Sequence, residues 1–227
     1  MSFRRRVRTL DTCPVSEDTA RTISRDFLAR TGLDVAPDLL GCVLRHETAD
    51  GVVAVRLTEV EAYMGADDPG SHAFRGRTPR NEVMFGPAGH LYVYFTYGMH
   101  FCVNVVCGEP GTATAVLLRA GEVIEGEDLA FARRTSARLP KELARGPARL
   151  ASALGLGRAD NGADLCAPSS PTTLSDGDGS AGAVIHKGPR VGVGGAGGDG
   201  DAYPWRFFLD GEQSVSVYRA HVPRRRR

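Results

Sequence analysis

The sequence predicts an α+β fold: a single domain on a mainly antiparallel, curved sheet, with surrounding helices and one protruding β-hairpin. Three observations predict it. Strand-like runs meet through short turns, as at Asp50-Gly51 and at Tyr97-Gly98-Met99-His100. Helical and strand segments do not alternate in the regular βαβ manner of a parallel sheet. A chain of 227 residues, 42% apolar and 24% charged, has ordinary globular composition and bulk for one core.

The elements follow in chain order. Residues 1–14 read as a basic N-terminal arm and 15–218 as the domain. Ser16-Glu17-Asp18 can start a helix, with Ala20, Ile23, Phe27 and Leu28 at helical spacing and Gly32 near its end. Pro37 to Gly41 resembles a helical turn leading into a strand, Cys42 to Arg45. Asp50-Gly51 turns the chain into a long strand, Val52 to Ala62. Residues 64–90 show little periodicity, and a loop of that length tends to be functional. The stretch LYVYFTYGMHFCVN, residues 91–104, reads as an aromatic hairpin with Tyr97 and Met99 at its tip. Thr114 to Ala120 is an apolar strand broken by Gly121. Glu127 to Arg134 and Leu139 to Ala153 read as helices, the second interrupted where Pro147 opens a new first turn. Residues 167–183 are low in complexity and read as a mobile loop. Arg190 to Val193 and Trp205 to Leu209 are expected strands around a flexible glycine-rich loop. Ser214 to Tyr218 is a last strand, and 219–227 an arginine-rich tail.

The formal net charge is +1, but the basic residues are unevenly placed and nearly all arginine, the only lysines being Lys141 and Lys187. They gather at both termini, at Arg75, Arg77 and Arg80, and between Arg133 and Arg149, a group that includes Arg145. Arginine forks suit bidentate contact with phosphates; solvated tails are the bland alternative. Five cysteines without a CxxC pair suggest neither a disulfide framework nor a zinc site, but free thiols in a reducing compartment. No apolar run approaches membrane-spanning length, and no apolar signal core follows the charged N-terminus. The expected location is cytoplasmic, with the nucleoid as the place of work in a bacterium. No GxGxxG or GxxxxGK[ST] fingerprint marks a nucleotide cradle.

Candidate chemistry gathers around one strand. Along TEVEAY, Glu59 and Glu61 point to one face, roughly 7 Å apart on an ideal strand. A solvent-facing strand edge would explain them too. Glu61, however, stands at the strand's end beside Tyr63, before a loop holding His72 that returns to the tyrosine-rich hairpin. There is no GxSxG elbow and no HExxH spacing. What remains is a carboxylate able to activate water beside aromatic faces able to hold a flat ring. That set suits hydrolysis of an N-glycosidic bond in a nucleoside. Such an enzyme must take its base out of a duplex and fill the gap, a task for a wedge such as Tyr97 with Met99 beside it. A tyrosine tip packed on its own domain is the structural alternative. Two other functions stay open: a non-catalytic nucleic-acid-binding module, and a sugar glycoside hydrolase using Glu59 and Glu61 as an acid–base pair.

The run from Glu59 to Asn104 closely resembles the alkyladenine (3-methyladenine) DNA glycosylase family. So do VLLRAGEVIEG (116–126), ELARGPARLASALGL (142–156), RVGV (190–193) and PWRFF (204–208). The resemblance covers most of residues 15–218 outside 167–183. It implies a fold related to a formyltransferase C-terminal domain, a duplex DNA partner carrying damaged purines, a monomer, and neither metal nor cofactor. Position by position it implies Glu61 as the water-activating residue, with Arg119 helping to hold the water. Tyr63, His72 and Tyr94 would enclose the flipped base, and Asn104 would crowd the exocyclic amine of normal guanine. Tyr97 would intercalate with Met99 as its neighbour, and Arg77, Arg80 and Arg145 would meet the DNA backbone. Alkylated purines, hypoxanthine and ethenoadenine form the implied substrate class. The sequence departs from the family pattern at His100, where an aromatic is expected, in a His72-to-Arg77 loop one residue short, and in GGDGDAYPW.

Overall fold

The structure is a computed structural model that describes residues 21–177 and 182–221. In chain order the main elements are helices α1 (Arg25–Leu28) and α2 (Gly32–Asp38), strands β1 (Val43–Thr48), β2 (Gly51–Met64), β3 (Leu91–Thr96), β4 (His100–Cys107) and β5 (Thr114–Glu125), helices α3 (Glu127–Arg133) and α4 (Pro147–Leu154), and strands β6 (Thr172–Ser175), β7 (Ile185–Gly188) and β8 (Arg206–Leu209). The strands form one antiparallel sheet in the order β3-β4-β5-β2-β1-β6. β1 pairs with the first half of β2, β8 pairs with β2 at 59–61, and β7 extends β8. This is the predicted α+β class, with β3 and β4 as its hairpin.

Period-two alternation gives the sheet two unlike faces. Val60, Ala62, Leu91, Val93, Val103, Val105, Val116 and Leu118 enter the main apolar core. α2 adds Val35 and Ala36 to it, and α4 adds Leu150, Ala151, Ala153 and Leu154. α4 begins at Pro147, whose missing N–H costs nothing at a first turn, and ends at Gly155 with a left-handed φ of 78°. The residues between those strand positions face the other way and build the polar side.

Several local expectations are corrected. The helix start at Ser16-Glu17-Asp18 lies outside the described residues, as do the whole N-terminal arm and the tail from 222. α1 starts only at Arg25, capped by the Ser24 hydroxyl, because Thr22 bridges to Ser175 and Ile23 N–H to Leu174. Gly32 begins α2 instead of ending a helix, with the Thr31 hydroxyl accepting from Asp34 N–H. Of 139–146 only a 3₁₀ turn, Pro140–Glu142, forms. The 167–183 stretch carries β6, whose Thr172 and Leu174 are buried against β1. β7 had no sequence expectation. Arg190 to Val193 and Ser214 to Tyr218 form no strand. Among the described cysteines, burial pushes the Cys42 and Cys107 thiols up to about 12, leaving them inert. No helix among the described residues is long and apolar enough to cross a membrane.

Gly121 does not break β5; the strand runs through it to Glu125. A Cβ there would lie 2.3 Å from Val55 Cγ1 and 2.4 Å from the Arg56 carbonyl oxygen, so the glycine permits close approach of β2. Gly121→Ala should therefore destabilise the protein by about 1–3 kcal/mol through overpacking. An unchanged urea midpoint would refute that account of the strand pair.

Candidate active site

A bulge in β2 creates the polar face. Leu57 pairs with Gly121 and Glu59 with Ala120, leaving Thr58 as an extra residue of β2, and Val60 pairs with Leu118, leaving Arg119 as its counterpart in β5. Leu57 and Val60 therefore both enter the main core although they are three residues apart. One inserted residue flips every later side chain to the other face. Glu59, Glu61 and Tyr63 are thereby turned together away from the main core. Across the strands, Tyr92, Asn104, Leu117, Glu61 and Arg206 form one rung. Opposite residues in antiparallel strands share a face.

Above this rung lies a cavity of about 510 Å³, a size suited to one small flat ligand. Tyr63, His72, Tyr92, Tyr94, Tyr97, Asn104 and Arg119 line it, together with Val191 to Gly194. Tyr92 and Tyr94 stack at 5.5 Å between centroids, and His72 stands edge-on to Tyr94 at 4.6 Å. His72 Nδ1 is 3.0 Å from the Tyr92 hydroxyl. Burial, and then the Arg80 charge, hold the His72 pKa below its ordinary value. Burial pushes Tyr92 up to about 12 and raises Tyr94 further. The aromatic walls are thus neutral at physiological pH. Asn104 donates from Nδ2 to the Tyr92 carbonyl at 3.1 Å, which fixes its amide plane.

The two glutamates are both fully buried, yet their surroundings differ. A carboxylate offers about four lone-pair sites. Glu59 takes four donors: Oε1 accepts from Arg206 Nε at 2.6 Å, Ser216 Oγ at 2.8 Å and Arg119 Nε at 3.0 Å, and Oε2 from Ser216 N–H at 2.7 Å. Glu61 has three neighbours: Val191 N–H at 2.7 Å and Arg119 Nη1 at 3.3 Å on Oε1, and the Tyr63 hydroxyl at 2.9 Å on Oε2. Oε2 of Glu61 accepts only from Tyr63 and keeps an acceptor site, and all three of its neighbours line the cavity. Neither carboxylate itself lines the cavity, but of the donors on Glu59 only Arg119 does, whereas all three neighbours of Glu61 do, which favours Glu61 alone over a Glu59/Glu61 acid–base pair. Burial, then the Glu61 charge, raise the Tyr63 pKa well above normal, so its phenol stays a donor. Burial alone would lower the Arg119 pKa, but the Glu61 and Glu59 carboxylates outweigh it and hold the guanidinium charged.

The wall at Val191 depends on a buried ion pair. Arg190 Nη1 and Nη2 reach Asp68 at 2.5 and 2.7 Å, and the same nitrogens bind the Ala62 and Gly197 carbonyls. Arg190 also lies over the Tyr63 ring at 4.6 Å. A Cβ on Gly197 would sit 2.2 Å from Gly70 N, so the glycine run is packed against the 68–70 loop as a wall. That is why 190–193 is no strand: its backbone and its arginine serve Glu61 and Asp68.

At the hairpin tip Met99 N–H bonds Thr96 O, and Tyr97 and Gly98 take φ of 51° and 70°. Both central residues are left-handed, the type I′ pattern that favours Asn-Gly. Tyr97 is 80% exposed and Met99 68% exposed, so no packing against the domain explains the tip. Strain at such a residue, of order 1 kcal/mol or more, points to a use elsewhere. Arg80 stands 5.7 Å over the Tyr94 ring, and Arg77 5.1 Å over Phe85; both are exposed on the rim. Arg145 lies in an adjoining groove with Arg119, and its Nε binds the Val215 carbonyl at 2.9 Å.

The cavity thus collects Tyr63, His72, Tyr94, Asn104, Tyr97 and Arg119, with Glu61 directly behind. Met99, Arg77, Arg80 and Arg145 surround it without lining it. Sequence reasoning passed over Tyr92, although the period of two that marks Tyr94 marks it as well. It also missed Asp68, Arg190, Arg206 and Ser216, whose roles follow from partners distant in the chain.

Comparison with known proteins adds a family. Residues 26–213 match the methylpurine-DNA glycosylase family. The chain is 61% identical over 206 residues to a protein of Streptomyces avermitilis, covering 90% of this chain and 95% of the relative. It is 56% identical over 211 residues to one of Leifsonia xyli subsp. xyli, covering 91% and 97%. Against one of Nocardia farcinica it is 53% identical over 186 residues, covering 80% and 84%. Each relative carries a provisional name, 3-methyladenine DNA glycosylase.

Relief of the strained turn is measurable. Tyr97→Asn should stabilise the fold by about 0.5–1 kcal/mol, since asparagine tolerates the left-handed region. A lower melting temperature for that variant would show that the Tyr97 backbone carries no strain.

Proposed function

Because the chain belongs to the methylpurine-DNA glycosylase family, and is thus a monofunctional DNA glycosylase of base excision repair, we propose that its cavity takes a damaged purine turned out of duplex DNA, and that Glu61 directs water at the anomeric carbon. The observation that carries this reading is the one unfilled acceptor of a buried Glu61, beside Tyr63, Arg119 and Val191, behind an aromatic cavity. The carboxylate takes the water's proton as the N-glycosidic bond breaks, and it faces the oxocarbenium charge of the sugar. Arg119, charged and held on three sides, steadies the water. An abasic site is left.

The proposed substrates are 3-methyladenine, 7-methylguanine, hypoxanthine and ethenoadenine. An alkylated purine carries positive charge, leaves readily, and is attracted to tyrosine faces. A neutral His72 adds no repulsion to such a base. Neutral lesions rely on weak pairing and fit, with Asn104 crowding the amine of normal guanine. Unstacking costs a few kcal/mol, and Tyr97, with Met99 beside it, fills the vacated place. Arg77, Arg80 and Arg145 meet phosphates on either side. The protein works as a cytoplasmic monomer at the nucleoid, and its arginine-rich termini add general attraction to DNA. Lys141 and Lys187 are both exposed and neither lines the cavity, so neither lysine offers its amine there for a covalent intermediate.

Single-turnover base release from duplexes carrying hypoxanthine, ethenoadenine or 7-methylguanine tests this. Glu61→Gln should slow release by about 100-fold or more while retaining DNA binding, in line with loss of a general base. Residual activity near wild type would remove Glu61 from its role. Borohydride should trap no enzyme–DNA adduct during turnover; a trapped adduct would contradict the water mechanism.

A further inference from the structure

We propose that Glu59 is a positioning residue that sets Arg119 against Glu61, and that Ser216 is the clasp holding both in place. The proposal rests on the reading of Glu61 above.

Arg119 divides its three nitrogens among three partners: Nε on Glu59 at 3.0 Å, Nη2 on Ser216 Oγ at 3.3 Å, and Nη1 near Glu61 at 3.3 Å. The Glu61 contact is an ion pair without a close hydrogen bond, whereas a guanidinium beside a lone carboxylate normally closes a two-pronged fork. Glu59 prevents that closure by holding Nε. The fork would otherwise take the acceptor of Glu61 that water needs.

The clasp explains why 214–216 is not a strand. Ser216 gives Glu59 both its N–H and its hydroxyl, and its carbonyl accepts from Arg206 Nη2 at 2.7 Å. Val215 O accepts from Arg145, and Ser214 Oγ meets Thr58 Oγ1 at 2.8 Å. Thr58 is the extra residue of the β2 bulge, so the clasp fastens to the irregularity that turned the glutamates inward. Charge balances too: Glu59 and Glu61 against Arg119 and Arg206, all buried.

The experiment compares wild type, Glu59→Gln, Ser216→Ala and Glu61→Gln by single-turnover release from a hypoxanthine duplex at saturating enzyme, with duplex Kd measured separately. Each variant is first shown to be folded by circular dichroism. Glu59→Gln should lower the release rate by about 100-fold, the scale of a misplaced catalytic group, with Kd unchanged. Ser216→Ala, which keeps every charge, should lose about 10-fold, and restoring a hydroxyl with Ser216→Thr should recover most of it. In an Arg119→Lys background Glu59→Gln should cost little more, because the two act as one unit. Wild-type release rates in folded Glu59→Gln and Ser216→Ala overturn the proposal. If Glu59→Gln does not fold, Ser216→Ala and its rescue decide alone. A wild type that releases no damaged purine would count against the proposed function; a wild type that does, beside an unimpaired Ser216→Ala, counts against the positioning role only.

Discussion

One guanidinium stands between two buried carboxylates on a single strand, and much of the polar half of the molecule follows from that crowding. Two buried negative charges so close are tolerable only if each meets positive charge and donors. Arg119 serves both, Arg206 completes Glu59, and backbone N–H groups of Ser216 and Val191 supply the rest. The segments carrying those N–H groups are irregular because their donors point at side chains instead of a neighbouring strand. Their donors separate the glutamates: Glu59 takes four, only one of them from a residue that lines the cavity, whereas all three neighbours of Glu61 line it.

The sheet divides labour between its faces. Its apolar side, covered by α2 and α4, supplies rigidity. Its polar side spends that rigidity on holding a strained tip, a buried ion pair and neutral aromatic walls. The strand pair with the bulge joins the two: Thr58 and Arg119 interrupt the pairing from opposite strands, and Gly121 lets the chains approach beside them.

Much of this was legible in the sequence because it is periodic or local. The hairpins at Asp50-Gly51 and Tyr97-Gly98, the long β2, the new helix at Pro147 and the grouping of Glu61, Tyr63, His72, Tyr94 and Asn104 all lie in short stretches with a pattern of two or a recognisable turn. The misreadings share another cause. Arg190 to Val193 and Ser214 to Tyr218 have strand-like composition, but their partners, Asp68, Glu61 and Glu59, are over a hundred residues away in sequence. Gly121 reads as a breaker in isolation and as a point of close contact once Arg56 lies beside it. The low-complexity run at 167–183 conceals β6, since four residues suffice to add an edge to an existing sheet. Glu59 and Glu61 look equivalent until their donors are counted.

The balanced group of Glu59, Glu61, Arg119 and Arg206 lies out of reach of dissolved ions, whereas Arg77 and Arg80 stand in water. Mobile ions screen only charges they can approach. Raising ionic strength therefore loosens the protein's grip on a polyanion while leaving bond cleavage in the engaged complex at its own pace, so search and chemistry answer to separate controls.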